Sequence, residues 1–267
     1  MIDQTIKCPD DPIRVMIRLS VNVNKVATLR NSRGGSQPSV LDAVAACLDA
    51  GVAGITVHPR ADRRHVTPED VRDIAEALEG HRPGVELNIE GDPRPDLIDL
   101  VLGVVPDQCT LVPVAPGEIT SQAGWRQGPE STRLPAVVRQ LASAGIRVSV
   151  FVDPDPSAIR FAAAVHADRV ELYTEPFARA FERGPSEAER SLATYADAAR
   201  LAHSLGMGVN AGHDLDVDNL VVFRELPHLD EVSIGHAIIS RAVFVGLPTV
   251  LAEYRAVLGS TGSRGVV

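Results

Sequence analysis

The sequence predicts a single (β/α)₈ barrel domain that covers residues 1–267. Eight short runs rich in apolar and β-branched residues alternate with helical segments along the whole chain. No linker and no change in composition divides these units, which favours one closed barrel. An open doubly wound sheet is the alternative. It loses support because neither a G-x-G-x-x-G motif after the first strand nor a P-loop is present in the sequence.

The first half of the chain contains four of the predicted strands, at residues 15–24, 54–57, 85–90 and 108–113. Asn22 and Asn24 are two residues apart in the first strand, so we expect them to share a face. Helices are predicted at 39–50, 67–79 and 95–103, and Thr67 is the expected N-cap of the second. Residues 28–35, which include Arg33, are expected to form a loop. The long segment 114–131 has the length of a functional lid.

The second half continues the alternation, with strands predicted at 147–152, 168–173, 206–211 and 229–234. Helices are predicted at 134–144, 156–166, 186–205, 217–223 and 237–258. The connection 174–184 is expected to be a second long loop. Residues 1–14 are expected to be a polar lead-in and 259–267 a loose tail.

The composition excludes several classes of protein. A formal net charge of −9 argues against a generic nucleic-acid or membrane surface, so any affinity for phosphate must come from a local cluster. Cys8, Cys47 and Cys109 are far apart and form no C-x-x-C motif, which predicts a reducing cytoplasm without disulfides or zinc. The first residues lack the apolar run of a signal peptide, and no stretch is long enough to span a bilayer.

Polar residues gather at the ends of the predicted strands, where barrel enzymes carry their chemistry. The residues at these ends are Asn22, Asn24, His58, Glu90, Asp153, Glu171, His213 and His236. Each has a purely structural alternative. The asparagines could bond across the rim, Asp153 is better explained as a turn or cap residue, and Glu171 could equally pair with Arg147. A carboxylate in the apolar strand of Glu90 is costly unless its pKa rises, which suits acid–base work.

The loop that follows His58 is strongly cationic. Pro59 keeps His58 extended, and Arg60, Arg63, Arg64 and His65 come within the next seven residues. A histidine beside such a loop suits an anionic substrate with proton transfer next to it. Solvated surface arginines explain this loop equally well when it is taken alone. The other strand ends favour the functional interpretation.

Residues 233–236, Ser-Ile-Gly-His, precede the last helical region and form a candidate anion site. Gly235 allows the backbone to approach a phosphate, and a helix N-terminus supplies free N–H groups. A plain glycine turn is the alternative and is less favoured after strand eight of a barrel. The histidines lack the H-x-H or H-E-x-x-H spacing of a metal site, so no metal is expected.

Several motifs together resemble the pyridoxine 5′-phosphate synthase family of the deoxyxylulose-dependent vitamin B6 route, over residues 19–258. They are Val-Asn-Val-Asn-Lys-Val-Ala-Thr-Leu-Arg-Asn-Ser-Arg-Gly at 21–34, Gly-Ile-Thr-Val-His-Pro-Arg at 54–60, Asp-Arg-Arg-His at 62–65, Asn-Ile-Glu at 88–90, Leu-Val-Pro at 111–113, Asn-Ala-Gly-His at 210–213 and Ile-Gly-His-Ala at 234–237. Each motif alone is weak, whereas the set is specific.

The resemblance implies condensation of 1-deoxy-D-xylulose 5-phosphate with 3-amino-2-oxopropyl phosphate. It also implies a homo-octamer that uses no metal and no organic cofactor. By match to the family, His58 and Glu90 accept protons and His213 donates one. Asn22, Arg33, Gly235 and His236 are then expected to hold the amino ketone phosphate, and Arg60, His65 and Thr120 the deoxyxylulose phosphate. Asn24, Lys25 and Asp214 complete the expected substrate-binding residues.

The chain departs from the better-known members of this family at three places, one of which is Gly-Asp-Pro-Arg-Pro at 91–95, after Glu90. Those members have Asp-His where this chain has Asn24 and Lys25, and glycine where it has Asp214. Lys25 can still donate to a phosphate or a carbonyl group. A carboxylate at 214 would repel a phosphate, which predicts that Asp214 faces away from the substrate.

Two other functions remain open at this stage. A Schiff-base aldolase or a pterin-synthesis barrel would need a lysine at a strand end, and Lys7 and Lys25 are the only lysines in the sequence. A non-catalytic barrel that binds a phosphorylated ligand would need no proton-transfer residues. The set of His58, Glu90 and His213 therefore favours an enzyme.

Overall fold

The computed structural model describes residues 16–113 and 123–259, in which eight parallel strands close into a barrel in the order of the chain. The last strand pairs with the first, with Val21 opposite Ile234. The (β/α)₈ prediction is confirmed. The strands are β1 Arg18–Asn22, β2 Gly54–Val57, β3 Glu86–Gly91, β4 Gln108–Leu111, β5 Arg147–Val152, β6 Arg169–Tyr173, β7 Gly208–Gly212 and β8 Leu229–Ile234.

Helices follow the strands and surround the barrel. They are α1 Asn24–Asn31, α2 Val40–Asp49, α3 Pro68–Leu78, α4 Pro95–Val104, α5 Leu134–Ser143, α6 Pro156–Ala164, α7 Glu175–Glu182, α8 Pro185–Ser204, α9 Val217–Phe223, α10 His236–Val245 and α11 Leu247–Gly259. Each helix from α3 to α8 has a proline in its first two positions, where no intrahelical N–H is needed. The predicted N-cap at Thr67 is confirmed by a capping box with Asp70.

The prediction that the first strand continues to Asn24, sharing a face with Asn22, is wrong. β1 ends at Asn22, whose side chain accepts a hydrogen bond from the Asn24 amide at 3.1 Å, and α1 begins there. The expected loop at 28–35 is therefore helical up to Asn31. Val26 and Ala27 are buried in α1, and this burial stabilises the helix against the barrel.

Two further boundaries differ from the prediction. The connection 174–184 contains α7, because Phe177 and Phe181 form an apolar stripe that packs against the core. The last helical region is two helices, because Gly246 adopts a φ of 85° and separates α10 from α11. Other ends shift by one to three residues. The lead-in 1–14, the tail beyond 259, Cys8 and most of the expected lid (114–122) lie outside the described residues.

The interior of the barrel is polar, whereas such barrels are usually filled by branched aliphatic residues. Ser20 on β1 lies 2.7 Å from Thr56 on β2 through their hydroxyl oxygens. Asn210 on β7 donates across the barrel to Gln108 on β4 at 3.5 Å. Because these groups bond to one another, their burial avoids most of the desolvation cost of unpaired polar atoms. The aliphatic core lies instead between the strands and the helices.

Aspartates at the starts of three strands fix the base of the barrel. Asp107, Asp168 and Asp230 each stand at or next to the first residue of an even-numbered strand. Their carboxylates accept the backbone N–H of Leu87, Val148 and Val209 on the preceding strand, at 2.8 to 2.9 Å. These bonds complete the hydrogen bonding between neighbouring strands at the amino ends of the barrel. They also set the register that brings the carboxyl ends of the strands together.

Candidate active site

A cavity of about 660 Å³ opens at the carboxyl ends of the strands. It brings together most of the residues that the sequence predicts for the site. Those that line it are Asn22, Asn24, Lys25, His58, Arg60, His65, Glu90, His213, Asp214, Gly235 and His236. Arg33 does not line the cavity. This residue lies just after the end of α1, and its side chain is exposed. Thr120 lies outside the described residues.

Glu90 occupies the floor of this cavity. Its side chain projects from β3 and is 11% exposed, and the Asn22 amide and the Ser233 hydroxyl each donate to it at 3.4 Å. Burial raises the pKa of Glu90 to about 7, and the hydrogen bond from Ser233 opposes that rise. Glu90 can therefore both accept and return a proton near neutral pH.

His58 stands next to Glu90 at the end of β2. Its backbone N–H donates to the Asn24 side chain at 2.9 Å, so the first residue of α1 holds this strand end in place. Its Nδ1 atom lies 3.8 Å from Glu90 Oε2, and its Nε2 atom has no hydrogen-bond partner among the residues described. Burial, together with the charge of Arg60, lowers the pKa of His58 to about 3. At neutral pH, the His58 imidazole is therefore neutral, and the Glu90 carboxyl group beside it titrates. The unprotonated imidazole is available as a base.

Cationic groups cover the wall beside His58. Lys25 on α1, and Arg60 and His65 from the loop after β2, all face the cavity. Burial and the charges of Arg60 and Lys25 lower the pKa of His65, which indicates how closely these groups gather. Asn31 holds the loop by donating to the carbonyl oxygen of His65 at 2.8 Å. A wall of this kind suits a phosphate group.

His213 lies across the cavity, just past the end of β7. Its Nδ1 atom is 3.0 Å from Asp214 Oδ2. The expectation that Asp214 faces away from the substrate stays a prediction. The hydrogen bond from His213 lowers the pKa of Asp214, which keeps the carboxylate ionised. The Tyr173 ring meets the imidazole edge-on, with ring centroids 5.1 Å apart. His213 is therefore oriented by both neighbours.

Gly235 forms a close contact that brings the start of α10 to the cavity. A Cβ atom at this position would lie 2.7 Å from the Asn22 carbonyl oxygen, a distance that no side chain could accept. Gly235 is the N-cap of α10, and His236 is its first residue. The free N–H groups of this helix end can thus reach an anion in the cavity, as the sequence predicts.

Three further residues also line the cavity, namely Glu171, Tyr173 and Ser233. They were not among the catalytic and substrate-binding residues predicted from the sequence. Glu171 does not pair with Arg147, which bonds to Glu86 and Gln108 instead. Its Oε2 atom is buried without a hydrogen-bond partner in the described chain. Burial and the nearby carboxyl group of Glu90 raise the pKa of Glu171 well above its usual range. The two-residue spacing of Glu171 and Tyr173 on β6 was the available signal.

Asp153 has a structural role, as the sequence analysis favoured. Its carboxylate pairs with Arg126 at 2.8 Å and accepts the N–H of Gly124 at 3.3 Å. A Cβ atom at Gly124 would lie 2.3 Å from the backbone of Val152 and Asp153. Asp153 therefore anchors the chain that returns from the segment after β4.

Neither a metal cluster nor a membrane span is found in the described part of the chain. Within residues 16–113 and 123–259, no group of three or more His, Cys, Asp or Glu side chains is arranged to hold a metal ion. Over the same ranges, no helix is both long and apolar enough to cross a membrane.

Comparisons with known proteins agree on one family. The model of the family described as pyridoxal phosphate biosynthesis protein PdxJ matches residues 19–260. The pyridoxine 5′-phosphate synthase of Bacteroides thetaiotaomicron is 50% identical over 241 residues, which cover 90% of this chain and 98% of that protein. The protein of the same name from Phocaeicola vulgatus is 49% identical over 246 residues, which cover 92% of this chain and all of that protein.

Solved structures with low sequence identity share the fold. A mutant tryptophan synthase α-subunit from Pyrococcus furiosus superposes with a TM-score of 0.61 at 12% identity. The match covers 92% of this chain and 98% of that one. At this identity the likeness concerns the barrel alone.

Proposed function

The chain belongs to the pyridoxal phosphate biosynthesis protein PdxJ family, and we propose that it condenses 1-deoxy-D-xylulose 5-phosphate with 3-amino-2-oxopropyl phosphate. The products are pyridoxine 5′-phosphate, inorganic phosphate and water. Its relatives are enzymes named pyridoxine 5′-phosphate synthase, and this chain is an enzyme of the same family. The observation that carries the proposal is the contact of Glu90 with His58 at 3.8 Å, on the floor of a cavity with a cationic wall.

Two candidate anion-binding regions lie next to that floor, one after β1 and β2 and the other after β8, and they support binding of two phosphorylated substrates. The deoxyxylulose phosphate binds at the wall of Lys25, Arg60 and His65, where charge-assisted hydrogen bonds are available. The amino ketone phosphate binds at the start of α10, where Gly235 and His236 present backbone N–H groups. This arrangement directs the reacting carbons of both substrates towards Glu90.

Acid–base catalysis by the chain's own residues accounts for the chemistry. Imine formation, loss of water and enolisation all move protons, and none of them requires a change in oxidation state. His58 and Glu90 accept protons, since one is a neutral imidazole and the other titrates near neutrality. His213 returns a proton to a leaving oxygen from the opposite wall. The raised pKa of Glu171 favours its protonated form, which adds a hydrogen-bond donor to the floor.

The wider setting follows from the same proposal. We propose a single-domain, cytoplasmic enzyme that assembles as a homo-octamer. Cys47 and Cys109 are buried free thiols, which suits a reducing compartment. Exposed apolar side chains on neighbouring helices, Leu29 on α1 with Val243 and Phe244 on α10, support contact with other subunits.

A substrate-omission assay tests the assignment of the two phosphates. With both substrates, pyridoxine 5′-phosphate should be detected by mass spectrometry, and neither substrate alone should yield it. Arg60→Ala should raise KM for the deoxyxylulose phosphate by about 10- to 100-fold, because one charged hydrogen bond contributes about 1.5–3 kcal/mol. KM for the amino ketone should stay within about twofold. Arg72→Ala, an exposed substitution on α3, is the matched control.

Absence of product with both substrates present would contradict the proposed reaction. An equal increase of both KM values in Arg60→Ala would contradict the assignment of the cationic wall to one substrate.

A further inference from the structure

We propose that Asp214 is a positioning residue, which holds the His213 imidazole with Nδ1 as the hydrogen-bond donor and presents Nε2 to the substrate. This inference deepens the proposed function, because it rests on His213 as the proton donor. It also assigns Asp214 a role other than that of a direct substrate ligand.

The contacts of the imidazole support this role. Asp214 Oδ2 lies 3.0 Å from Nδ1, and the His213 and Asp214 side chains are 26% and 39% exposed. Tyr173 packs against the ring at an interplanar angle of 77°. The Tyr173 hydroxyl donates to Glu175 on α7 at 2.6 Å, which fixes the tyrosine in turn. The imidazole is thus held on two sides, and its remaining nitrogen is left for the cavity.

The backbone of His213 and Asp214 is strained, and this strained conformation accompanies the contact between their two side chains. His213 and Asp214 have φ values of 91° and 57°, in the region that favours glycine. Strain of this kind persists only where the surroundings fix it, and such residues concentrate at functional sites. Thr174 donates to the carbonyl oxygens of Gly212 and His213, and Asn219 donates to that of Asp214 at 3.0 Å.

The charged groups around the pair come from two other elements, α7 and α10. Arg179 on α7 and His236 on α10 help to keep Asp214 ionised, while Glu175 is occupied by Tyr173 and Arg179. An ionised Asp214 can only accept a hydrogen bond, so the proton must be on His213 Nδ1. The neutral ring then has an unprotonated Nε2, and the protonated ring has an acidic N–H there. Proton donation therefore occurs from one fixed nitrogen.

Nitrogen-15 NMR of the histidine rings tests this orientation directly. The His213 signal is assigned by its loss in His213→Gln. In the wild type, the neutral ring should carry its proton on Nδ1. In Asp214→Gly, which suits the positive φ, the ring should change to a mixture with Nε2–H. Asp214→Asn also tolerates this backbone and keeps an acceptor oxygen, so it should retain more of the Nδ1–H form. Asp218→Asn makes the same charge change at an exposed position of α9 and should leave the spectrum unchanged.

Steady-state kinetics on the same variants provides the second readout. Asp214→Gly should lower kcat by about 10- to 100-fold, the range seen when the partner that orients a metal-binding histidine is removed. Both KM values should stay within about twofold, because no substrate contact is lost. Raised KM with unchanged kcat would overturn the proposal in favour of direct substrate binding. A wild-type ring protonated on Nε2 would overturn it as well. The NMR measurement needs no substrate, so a failure of the proposed reaction would be recognised separately.

Discussion

Replacing Glu90 by glutamine should remove catalysis and at the same time stabilise the protein at alkaline pH. Glu90 is almost fully buried, and its carboxyl group receives only two long hydrogen bonds of 3.4 Å. Ionising it in this position is costly, and a neutral amide of the same shape avoids that cost. The two effects have one cause, because the raised pKa that suits Glu90 to proton transfer also opposes folding.

The magnitude follows from the pKa of Glu90, which burial raises from 4.5 to about 7. A raised carboxyl pKa means that the folded chain binds the proton more tightly than the unfolded chain. Stability is then unaffected well below pH 4.5, declines as the pH rises, and reaches its full loss above about pH 7. At about 1.4 kcal/mol per pH unit, that loss is at most about 3.5 kcal/mol.

Urea unfolding at pH 5 and pH 8 measures this effect. The stability difference between Glu90→Gln and wild type should be about 2–3 kcal/mol larger at pH 8 than at pH 5. Glu189→Gln makes the same change at an exposed position of α8. The difference in unfolding free energy between this variant and wild type should therefore not vary with pH. Turnover by Glu90→Gln should fall by about 10²- to 10⁴-fold, as expected when a general base is lost.

Two results would refute this reasoning. If Glu90→Gln behaved like Glu189→Gln at both pH values, Glu90 would be an ordinary ionised carboxylate. If Glu90→Gln kept its substrate affinity and its biological function, the barrel would be a binding protein, which needs no proton-transfer group.

Three further outcomes are expected. Burial raises the pKa of Glu90, and the hydrogen bond from Ser233 opposes this rise. Ser233→Ala removes that bond, so the acid limb of the pH profile of kcat/KM should move to higher pH. Ser204→Ala should leave the profile unchanged, and an equal shift in both variants would contradict the assignment of that limb to Glu90. Asp168→Ala leaves a β5 backbone N–H without its acceptor and should cost about 1–3 kcal/mol in urea unfolding, whereas the exposed Asp197→Ala should cost less than about 0.5 kcal/mol. Equal costs would contradict the role of strand-start aspartates. Chelation should leave turnover unchanged, because the proposed proton transfers use only side chains of the chain itself. Loss of turnover that a single added metal restores would contradict this expectation.

The barrel was predictable because apolar strands and amphipathic helices alternate so regularly along this chain. Local exceptions were not. Asn22 and Asn24 fit a strand by spacing, yet a side-chain bond between them ends β1 and starts α1. The connection 174–184 was expected to be a loop, but burial of Phe177 stabilises a helix there.

The candidate site was predictable as a set of strand-end residues, but the contacts between them were not. Glu90 and Ser233 are 143 positions apart, and only closure of the barrel brings them together. The bond between Asp214 and His213 depends on two positive φ values that no sequence pattern specifies for these residue types. For Glu171, an ion pair with Arg147 and a role in the site were equally favoured, because the sequence does not show which residue bonds to Arg147.

The most direct test of the account is a single time course with metal-stripped wild-type protein and both substrates. Pyridoxine 5′-phosphate and inorganic phosphate are measured in the same samples. The account predicts that the two products appear in equal amounts without any added metal or cofactor. Binding of both substrates without formation of either product would contradict it.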